Sequence, residues 1–552
     1  MQAPPAAPLP RSSSARRWSW LCVLAVLLLV GFIRIRLLDM PLERDEGEYA
    51  YAGQLILQGI PPYELAYNMK LPGTYYAYAL GMAIFGQTCA GVHLTLLVVN
   101  AATIVFVFLL GRKLFGATAG VVACASYGVM AVSPVVLGQA AHANHFVVLF
   151  AVPATLLLLL AAENRHPLVL FESGLLYGLA FLMKQQGICF GLFGCLFLLV
   201  DAFRDRSVCT GVFLKRGLLF VLGLLLPFGL LCLAIFIAGD FDRFYLWTFL
   251  YAHKYAATLS VAGGLQRLLA HLQEAWEVSL AFWLLALTGP LLAWPDRTAR
   301  RSAAFTLAFW GFSFAGTAIG WYFRSHYFIL LLPAFALLIG LAVVSGQRIL
   351  VSCQAGGFLR ALPLIFFAVA WSWALVAQAP AFFRLSPAEL CHERYRDNPF
   401  LESLAVAGYI RDHSTPDARI AVLGSEPEIF FYAHRHSATG YIYTYALMEH
   451  GPAAPAMQRD MIQEIETNRP DYIVYVPYHY SWLGDTNSDQ TIFHWLAGYL
   501  PSAYQNVGLV GFNDQDELVS VWADAATGAS KPVGEYIRVY RRISPTNPAR
   551  AN

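Results

Sequence analysis

The stretch GLLFVLGLLLPFGLLCLAIFIA, residues 217–238, contains no charged side chain over 22 residues. A helix of about 20 apolar residues is long enough to cross the hydrocarbon core of a bilayer. The sequence therefore predicts a polytopic α-helical membrane protein with about 11 transmembrane helices. Ten further apolar runs precede residue 380, at about 18–38, 92–111, 117–137, 146–162, 169–183, 187–201, 276–294, 303–320, 327–345 and 361–379.

The composition separates a membrane part from a water-exposed part. The 552 residues are 58% hydrophobic and only 13% charged, against about 25% charged in soluble domains. The last 172 residues nevertheless hold 33 of the 72 charges. We therefore predict a transmembrane domain over 1–380, with a first outside loop at 39–91, and a soluble domain over 381–552. The net charge of +2 gives no reason to expect nucleic acid as a partner.

The orientation follows from the distribution of basic residues. With a cytoplasmic N-terminus and eleven crossings, 15 basic residues lie inside and nine outside, in agreement with the positive-inside rule. The inside residues include the clusters Arg204/Arg206/Lys215/Arg216 and Arg297/Arg300/Arg301. This topology places outside the segments 39–91, 138–145, 239–275 and 321–326, and everything after about residue 380.

The soluble part has an α/β pattern. Strands are predicted at Arg419–Gly424, Tyr472–Val476, Val507–Phe512 and Tyr536–Val539, and helices at Phe400–His413 and Ala456–Asn468. These elements predict a small mixed sheet covered by helices. Gly424 and Ser425 follow the first strand, but no glycine-rich phosphate-binding motif continues from them.

The first outside loop contains ERDEGEYAYAGQLILQGIPPYELAYNMKLPG, residues 43–73. Asp45 and Glu48 have capping-box spacing, so we predict a helix that starts at Asp45 and stops near Gly59. Its apolar stripe predicts that it lies on the outer membrane surface, and a second short helix is predicted from about Thr74 to Phe85. Asp45 could be only an N-cap, and Lys70 could be an interfacial lysine that snorkels toward headgroups.

Several segments resemble one enzyme class. DEGEYAY, GIPPYELAYNMKLPG, the Lys184 of FLMKQQG and RSHYFILLLP are similar to bacterial GT-C polyprenyl-phosphate-sugar glycosyltransferases, such as the protein O-mannosyltransferases (family 39) and the lipid A aminoarabinose transferase. The resemblance implies location in the bacterial inner (plasma) membrane, with the C-terminal domain extracytoplasmic. It also implies that Asp45 is the catalytic carboxylate, with Glu46 beside it, and that Lys70 contacts the lipid phosphate.

Two positions depart from the family pattern. Glu48 stands where the aminoarabinose enzymes have an arginine, so their substrate contacts do not carry over. Asn144 and His145, in AHANHF, stand where many relatives have an acid. We predict that Glu48, Tyr49, Asn144 and His145 belong to substrate-contacting loops.

The implied reaction suits these residue types. Transfer from a lipid-phosphate sugar needs one base to take the acceptor proton, and cations can assist the phosphate leaving group in place of a general acid. We predict Asp45 as the base of an inverting displacement. The predicted phosphate-binding residues are Lys70, Lys184, Arg324, His326 and Tyr327, although an interface belt also explains the last three. The acceptor would be a glycan, lipid or protein.

Other features leave alternatives open. The segment Gly239–Tyr255 is either a lid over the donor or an interfacial anchor. His142 with His145, or Asp240 with Asp242, could bind a metal, but neither pair has an evident third ligand, and we expect no metal or other cofactor. The rival function is a secondary transporter. That reading is disfavoured because the acids cluster in outside loops instead of near mid-bilayer.

Overall fold

The computed structural model describes residues 13–164, 166–204, 210–523 and 531–543; Arg206 of the predicted inner cluster lies outside them. The helices are α1 Ser13–Arg36, α2 Arg44–Leu57, α3 Gly73–Phe85, α4 Cys89–Phe115, α5 Ala117–Met130, α6 Ala143–Asn164, α7 Pro167–Met183, α8 Ile188–Arg204, α9 Thr210–Ala238, α10 Phe241–Tyr245, α11 Ala252–Ala256, α12 Val261–Ala293, α13 Arg297–Ala318, α14 Leu332–Ser352, α15 Gly357–Ala377, α16 Pro387–Tyr395, α17 Phe400–Asp412, α18 Glu428–Ala433, α19 Tyr445–Met448, α20 Ala453–Asn468, α21 His479–Trp482 and α22 Thr491–Ala503. The strands are β1 Arg419–Leu423, β2 His436–Ser437, β3 Tyr472–Tyr475, β4 Tyr504–Phe512, β5 Leu518–Trp522 and β6 Ile537–Arg542.

The helices confirm the predicted polytopic α-helical fold class. Among the described residues, nine helices are long and apolar enough to cross a membrane, and each coincides with a predicted run. The third and fifth runs form the shorter apolar helices α5 and α7, of 14 and 17 residues. The fifth and sixth runs are separate helices, because α7 ends at Met183 and Lys184 has an extended backbone.

The chain packs as two compact units. The first comprises the described parts of Met1–Arg36, Leu96–Gly229 and Ala256–Arg384, and the second those of Leu37–Thr95, Leu230–Tyr255 and Leu385–Asn552. The first outside loop therefore belongs to the same compact unit as the soluble domain. The predicted boundary at residue 380 lies close to the break after Arg384.

Close helix packing holds the first unit together. The segment Ser325–Ser352, which contains α14, is the most buried of the nine long apolar helices among the described residues, with 94% of its most apolar stretch buried. Small residues let neighbours approach: a Cβ at Gly340 would lie 2.6 Å from the Ala119 carbonyl oxygen, and one at Gly120 would lie 2.6 Å from that of Phe108. Such small-residue contacts replace the hydrophobic driving force that is absent between helices in lipid.

Arg34 of α1 fixes the loop between α5 and α6. It is 5% exposed and donates to Asn100 Oδ1 at 3.3 Å, to the Ala131 carbonyl at 3.2 Å and to the Gly138 carbonyl at 3.1 Å. A buried cation in a membrane segment requires such acceptors. The carbonyls that satisfy Arg34 therefore hold the segment that leads to Asn144 and His145.

The second unit contains one six-stranded mixed sheet in the order β2-β1-β3-β6-β4-β5. The pairs β1/β2 and β1/β3 are parallel, and β3/β6, β6/β4 and β4/β5 are antiparallel. All four predicted strands and both predicted helices of the soluble part are present. The two-residue β2 and the edge strand β5 were not predicted, because β2 is too short to show a period.

Helix α2 is the element on which the predicted site depends, and its surroundings differ from the prediction. It runs over Arg44–Leu57, and most of its side chains are buried, including Arg44, Glu46 and Glu48. It packs against α3 and against α18 of the soluble domain. Protein covers the polar side of α2 as well as Tyr49, Ala52 and Leu55 of its apolar stripe, so the expectation that this stripe faces lipid is wrong. The location of α2 at the outer membrane surface stays a prediction.

Candidate active site

Asp45, Glu48 and Lys70 form a compact ionic cluster in the second unit. Lys70 Nζ lies 2.7 Å from Asp45 Oδ1 and 2.6 Å from Glu48 Oε2. The Lys70 side chain is 16% exposed, that of Asp45 22% and that of Glu48 0%. Burial alone would lower the pKa of Lys70, but the carboxylates of Asp45 and Glu48 outweigh it and raise that pKa well above its usual value.

Glu48 and Tyr49 shape the surroundings of the Lys70 ammonium. Burial raises the pKa of Glu48, against the opposing charge of Lys70, and Tyr75 donates a short hydrogen bond to Glu48 Oε1. The Tyr49 ring lies 4.6 Å from Lys70 Nζ, in a cation–π contact. Lys70 is therefore held by two carboxylates and a ring face, which excludes the snorkelling alternative in this structure.

The predicted capping box lies two residues too late in the sequence. The N-cap is Glu43, which accepts from the Glu46 N–H, while the Glu46 side chain accepts from the Glu43 N–H. Capping by Glu43 leaves Asp45 and Glu48 inside the first turns, where they face Lys70. The alternative in which Asp45 serves only as an N-cap is therefore wrong.

Glu46 has contacts different from those of Asp45. Its carboxylate lies 3.2 Å from His93 Nε2 and also closes the capping box. His93 Nδ1 lies 2.7 Å from the Leu38 carbonyl oxygen. These contacts link the start of α2 to Leu38, which precedes it, and to His93, which follows it in α4. The predicted catalytic role of Glu46 stays a prediction.

The soluble domain adds a residue that the sequence reasoning missed. Tyr443 donates through its hydroxyl to Asp45 Oδ1 at 3.1 Å, and its ring lies 5.6 Å from Lys70 Nζ. Nearly 400 residues separate Tyr443 from Asp45. A single sequence carries no signal that could have brought the two residues together.

A second set of contacts fixes the start of α2 to the soluble domain. Arg44 donates to the Ser425 carbonyl at 2.5 Å, to Asn398 Oδ1 at 3.0 Å and to Glu426 Oε1 at 2.9 Å. The turn after β1, which offered a weak phosphate-loop signal, thus binds Arg44. Gly47 permits the approach, because a Cβ there would lie 2.6 Å from Glu428 Cβ.

In the first unit, a separate polar group surrounds Lys184. Its Nζ donates to Asn144 Oδ1 at 3.0 Å and lies 4.1 Å from the Tyr327 ring centre. Gln186 accepts from the Asn144 amide at 3.4 Å. Three of the predicted residues, from three distant parts of the sequence, are therefore neighbours. These contacts give Lys184 the partners that a lysine beside a membrane segment requires.

The remaining predicted residues of the first unit are His326, Arg324 and His145. The buried His326 ring stacks on that of His142 at 4.0 Å and meets Tyr327 edge-on at 4.9 Å. Arg324 lies over the Tyr322 ring at 5.6 Å. His145 is fully buried. His142 and His326 together could supply two imidazole ligands to a metal.

The segment Gly239–Tyr255 contacts both the first loop and the soluble domain. The Trp247 ring stacks on Tyr67 at 5.7 Å, and Tyr251 donates to Glu449 at 2.7 Å. A cleft of about 590 Å³ lies beside it, lined by Tyr67, Arg243, Leu246, Trp247, Tyr441, Ala453, Ala456, Met457, Asp460, Gln463, Glu464, Thr467 and Asn468. The segment is buried against protein at Phe244, Trp247 and Thr248, whereas Tyr245, Leu246, Phe249 and Leu250 are exposed.

Comparison with known proteins identifies the fold of the chain. Residues 70–230 match the sequence model of the dolichyl-phosphate-mannose-protein mannosyltransferase family. The structure of ArnT from Cupriavidus metallidurans bound to undecaprenyl phosphate is similar with a TM-score of 0.57 and 17% identity, over 93% of this chain and 100% of that one. The chain has the GT-C glycosyltransferase fold. The resemblance predicted from the sequence is therefore confirmed at the level of the GT-C fold.

A second GT-C structure shares the fold more distantly. The oligosaccharyltransferase AglB from Archaeoglobus fulgidus, in complex with an inhibitory peptide and a dolichol-phosphate, matches with a TM-score of 0.53 and 12% identity. The match covers 94% of this chain and 76% of that one. No curated protein matches this GT-C chain by sequence.

Proposed function

We propose that this GT-C protein transfers a sugar from a polyprenyl-phosphate donor to an acceptor hydroxyl at the outer face of the membrane. The observation that carries the proposal is the cluster of Asp45, Glu48 and Lys70: a partly exposed carboxylate beside a lysine that remains charged. The GT-C fold supports it, as do similar structures bound to undecaprenyl phosphate and dolichol-phosphate.

The cluster suits an inverting displacement. The acceptor oxygen bonds to the anomeric carbon as its proton passes to Asp45, and the bond from that carbon to the phosphate oxygen breaks. The phosphate leaves as an anion and needs no proton, so a cation replaces the general acid. Lys70 has three N–H donors, of which two are engaged by Asp45 and Glu48. We assign the third to the donor phosphate.

The residues around Lys184 receive supporting roles. Lys184, Arg324, His326 and Tyr327 are proposed phosphate-binding groups, because they combine cations with hydrogen-bond donors. Asn144 and His145 are proposed substrate contacts. Glu46 is proposed to assist Asp45 through the helix start. In the predicted topology all of them are on the outer side of the membrane.

Mass spectrometry of lipid-linked sugars and of surface glycans tests the proposal. We expect cells that make the wild-type protein to lose one lipid-linked sugar and to gain the same sugar on a surface acceptor, while cells with Asp45→Asn match cells without the protein. Identical glycan profiles in all three strains would overturn it. A solute that accumulates without covalent change would support the transporter instead.

An experiment with a chelator tests the expectation that sugar transfer needs no metal. Membranes that carry the wild-type protein are washed with EDTA, and sugar transfer is measured before and after. We expect no change, because Lys70 supplies the cation that the leaving phosphate needs. Loss of transfer that added Zn²⁺ or Mn²⁺ restores would contradict this and would direct attention to His142 and His326.

A further inference from the structure

We propose that Tyr443 of the soluble domain is a positioning residue for Asp45: its hydroxyl and the Lys70 ammonium together orient this carboxylate and keep it ionised for proton transfer. The inference rests on the proposed function of Asp45 as the base. It assigns the soluble domain a direct part in the active site, which neither the fold nor the sequence motifs indicate.

The geometry around Asp45 carries the argument. Tyr443 donates to Asp45 Oδ1 at 3.1 Å, and Lys70 donates to the same oxygen at 2.7 Å. A rotation of the carboxylate about its Cβ–Cγ bond would lengthen both hydrogen bonds at once. Two donors on one oxygen therefore restrict the orientation of a side chain that is otherwise 22% exposed.

Tyr443 can only be a donor toward Asp45. Burial, followed by the charges of Asp45 and Glu48, raises the pKa of Tyr443 well above its usual value. The phenol therefore stays protonated throughout the pH range in which an enzyme of this type works. In the proposed step the acceptor proton moves to Asp45, and Tyr443 keeps its own proton while its hydrogen bond stabilises the ionised carboxylate.

The backbone on both sides of Tyr443 is held in place. The neighbouring Thr444 is buried; its N–H donates to Ser425 Oγ at 3.0 Å and its hydroxyl donates to the Ser481 carbonyl at 2.7 Å. On the other side, the Gly440 carbonyl accepts from the Tyr67 N–H of the first loop at 2.7 Å. Tyr443 therefore stands on a fixed segment, as a positioning residue must.

Several other titratable groups surround Asp45 in the second unit, and they determine how the effect can be measured. They are the N-cap Glu43; Glu46, Glu48 and Tyr49 on α2; Lys70 of the following loop; and Tyr443. Their charges also act on Asp45. A test of Tyr443 must therefore remove only its hydroxyl and must leave every charge in place.

The experiment is a titration of Asp45 that needs no substrate. The full-length protein in lipid nanodiscs is treated with dicyclohexylcarbodiimide over a range of pH, since this reagent modifies protonated carboxyls, and fragment mass spectrometry resolves Asp45 from Glu46 and Glu48. In Tyr443→Phe we expect the midpoint for Asp45 to rise by about one pH unit, the size expected for a lost hydrogen bond to a charged group.

A matched control lies two residues away. Tyr445→Phe also removes a phenol hydroxyl from this segment, but that hydroxyl donates to the Tyr480 carbonyl, so the Asp45 midpoint should stay at its wild-type value. If the Phe variant at 443 fails to fold, 3-fluorotyrosine at this position is the second test. Its more acidic phenol is a stronger donor and should lower the midpoint.

The outcomes separate this inference from the proposed function. An Asp45 midpoint that is unchanged in Tyr443→Phe, or that moves equally in Tyr445→Phe, overturns the positioning role. Absence of sugar transfer by the wild-type protein would overturn the proposed function, while the titration would still report on the link between Tyr443 and Asp45. Where transfer is measurable, the acid limb of its pH profile should move with the titration midpoint, whereas a purely structural loss would lower the rate at every pH.

Discussion

Lys70 connects the two carboxylates that the sequence placed on one helix face. Asp45 and Glu48 are three residues apart and therefore neighbours on α2, and Lys70 reaches both from the following loop. The Glu48 carboxylate is fully buried, so it depends on this single ammonium and on Tyr75 for compensation. The two carboxylates consequently differ in their surroundings: Glu48 is buried against Lys70, and the more exposed Asp45 is the one to which we assign the role of base.

Replacement of Asp45 by Asn should separate chemistry from folding. Asn keeps an oxygen that can accept from Lys70 and Tyr443 but cannot take a proton, and general-base catalysis is typically worth about 10²- to 10⁴-fold in rate. We expect transfer to fall by about that factor, with normal membrane insertion, and Glu46→Gln to cost less. Transfer rate, expression and Tm in detergent are measured together. An Asn variant that keeps more than about a tenth of the wild-type rate contradicts the base assignment.

Loss of the Lys70 charge should destabilise the protein through Glu48. Removal of one partner of a buried ion pair typically costs about 3 to 5 kcal/mol, since the other charge stays buried and unpaired. We expect Lys70→Met to lower Tm, and Glu48→Gln in the same chain to recover part of the loss while donor use stays impaired. A double-mutant cycle on Tm measures the coupling. Additive effects of the two substitutions would contradict it.

Within the ionic cluster, the residues that could be predicted from the sequence are those of one segment. Asp45 and Lys70 lie 25 residues apart in a loop whose length and acid content already indicated a site. Tyr443 and Glu426 were invisible because a tyrosine or glutamate in a soluble domain has many ordinary uses. Only the fold reveals that these two residues meet Asp45 and Arg44.

At the scale of elements, α2 shows why the cap was predicted in the wrong register. Glu43/Glu46 and Asp45/Glu48 have the same spacing, and Glu is a weaker N-cap residue than Asp in general. Tertiary contacts decided between them, because Lys70 draws Asp45 and Glu48 toward itself while His93 draws Glu46. Local propensity therefore found the helix but not its first residue.

Gly47 is required for the close packing of α2 on α18. An added Cβ would lie 2.6 Å from Glu428 Cβ and 2.7 Å from the Glu428 backbone nitrogen, and such overpacking typically costs about 1 to 3 kcal/mol. We expect Gly47→Ala to lower Tm and to reduce transfer by displacing Asp45. Gly408→Ala on α17 is the matched control, because nothing lies within 4 Å of its Cβ.

A comparison of the two glycine variants shows whether the contact of α2 with α18 matters. Thermal unfolding in detergent and the transfer rate are measured for the two glycine variants in parallel. If Gly47→Ala behaves like Gly408→Ala, the contact of α2 with α18 does not position Asp45.

At the scale of the whole molecule, the fold class could be predicted from the sequence. Which segments of the chain join in each compact unit could not. Long apolar runs specify membrane helices by length alone, and alternating patterns specified the strands of the soluble part. That 37–95 would form one compact unit with 385–552 depends on contacts between segments more than 300 residues apart. No local pattern encodes such contacts.

Buried carboxyls should make the stability of the protein fall with rising pH. Burial raises the pKa of Glu402 to about 7, and burial with the charge of Glu426 raises that of Glu428 to about 8. A carboxyl whose pKa is higher in the folded state stabilises it fully below the unfolded value of about 4.3, and that contribution is lost as pH rises through the folded pKa. We expect Tm to fall between about pH 4 and pH 8 and to change little from this cause at higher pH.

Glu428→Gln should reduce the fall of Tm with pH, because Gln accepts a hydrogen bond from Ser403 as Glu428 does but carries no titrating proton. The exposed Glu393→Gln is the matched control. Tm of the three proteins is measured in buffers of equal ionic strength. An equal slope in all three would assign the pH dependence to other groups.

The topology predicts which cysteines an impermeant reagent reaches. Cys353, an exposed residue after α14, lies in a predicted cytoplasmic loop, whereas Ser502 is an exposed residue of the soluble domain. With the other cysteines replaced, we expect Ser502→Cys to react in spheroplasts of living cells and Cys353 to react only after lysis. The reverse pattern would invert the topology and would place the proposed active site in the cytoplasm.

The contacts between α2 and the soluble domain also determine when the protein becomes competent during its synthesis. The partners of Arg44 and Asp45 are between 354 and 398 residues farther along the chain, which corresponds to about 20 to 80 s of translation at 5 to 20 residues per second. Until then Arg44 has neither Glu426 nor Asn398, and Asp45 lacks Tyr443. A nascent chain therefore completes the proposed active site last, so that ribosome-bound and prematurely terminated products hold Asp45, the proposed base, without the residues that contact it in the folded protein.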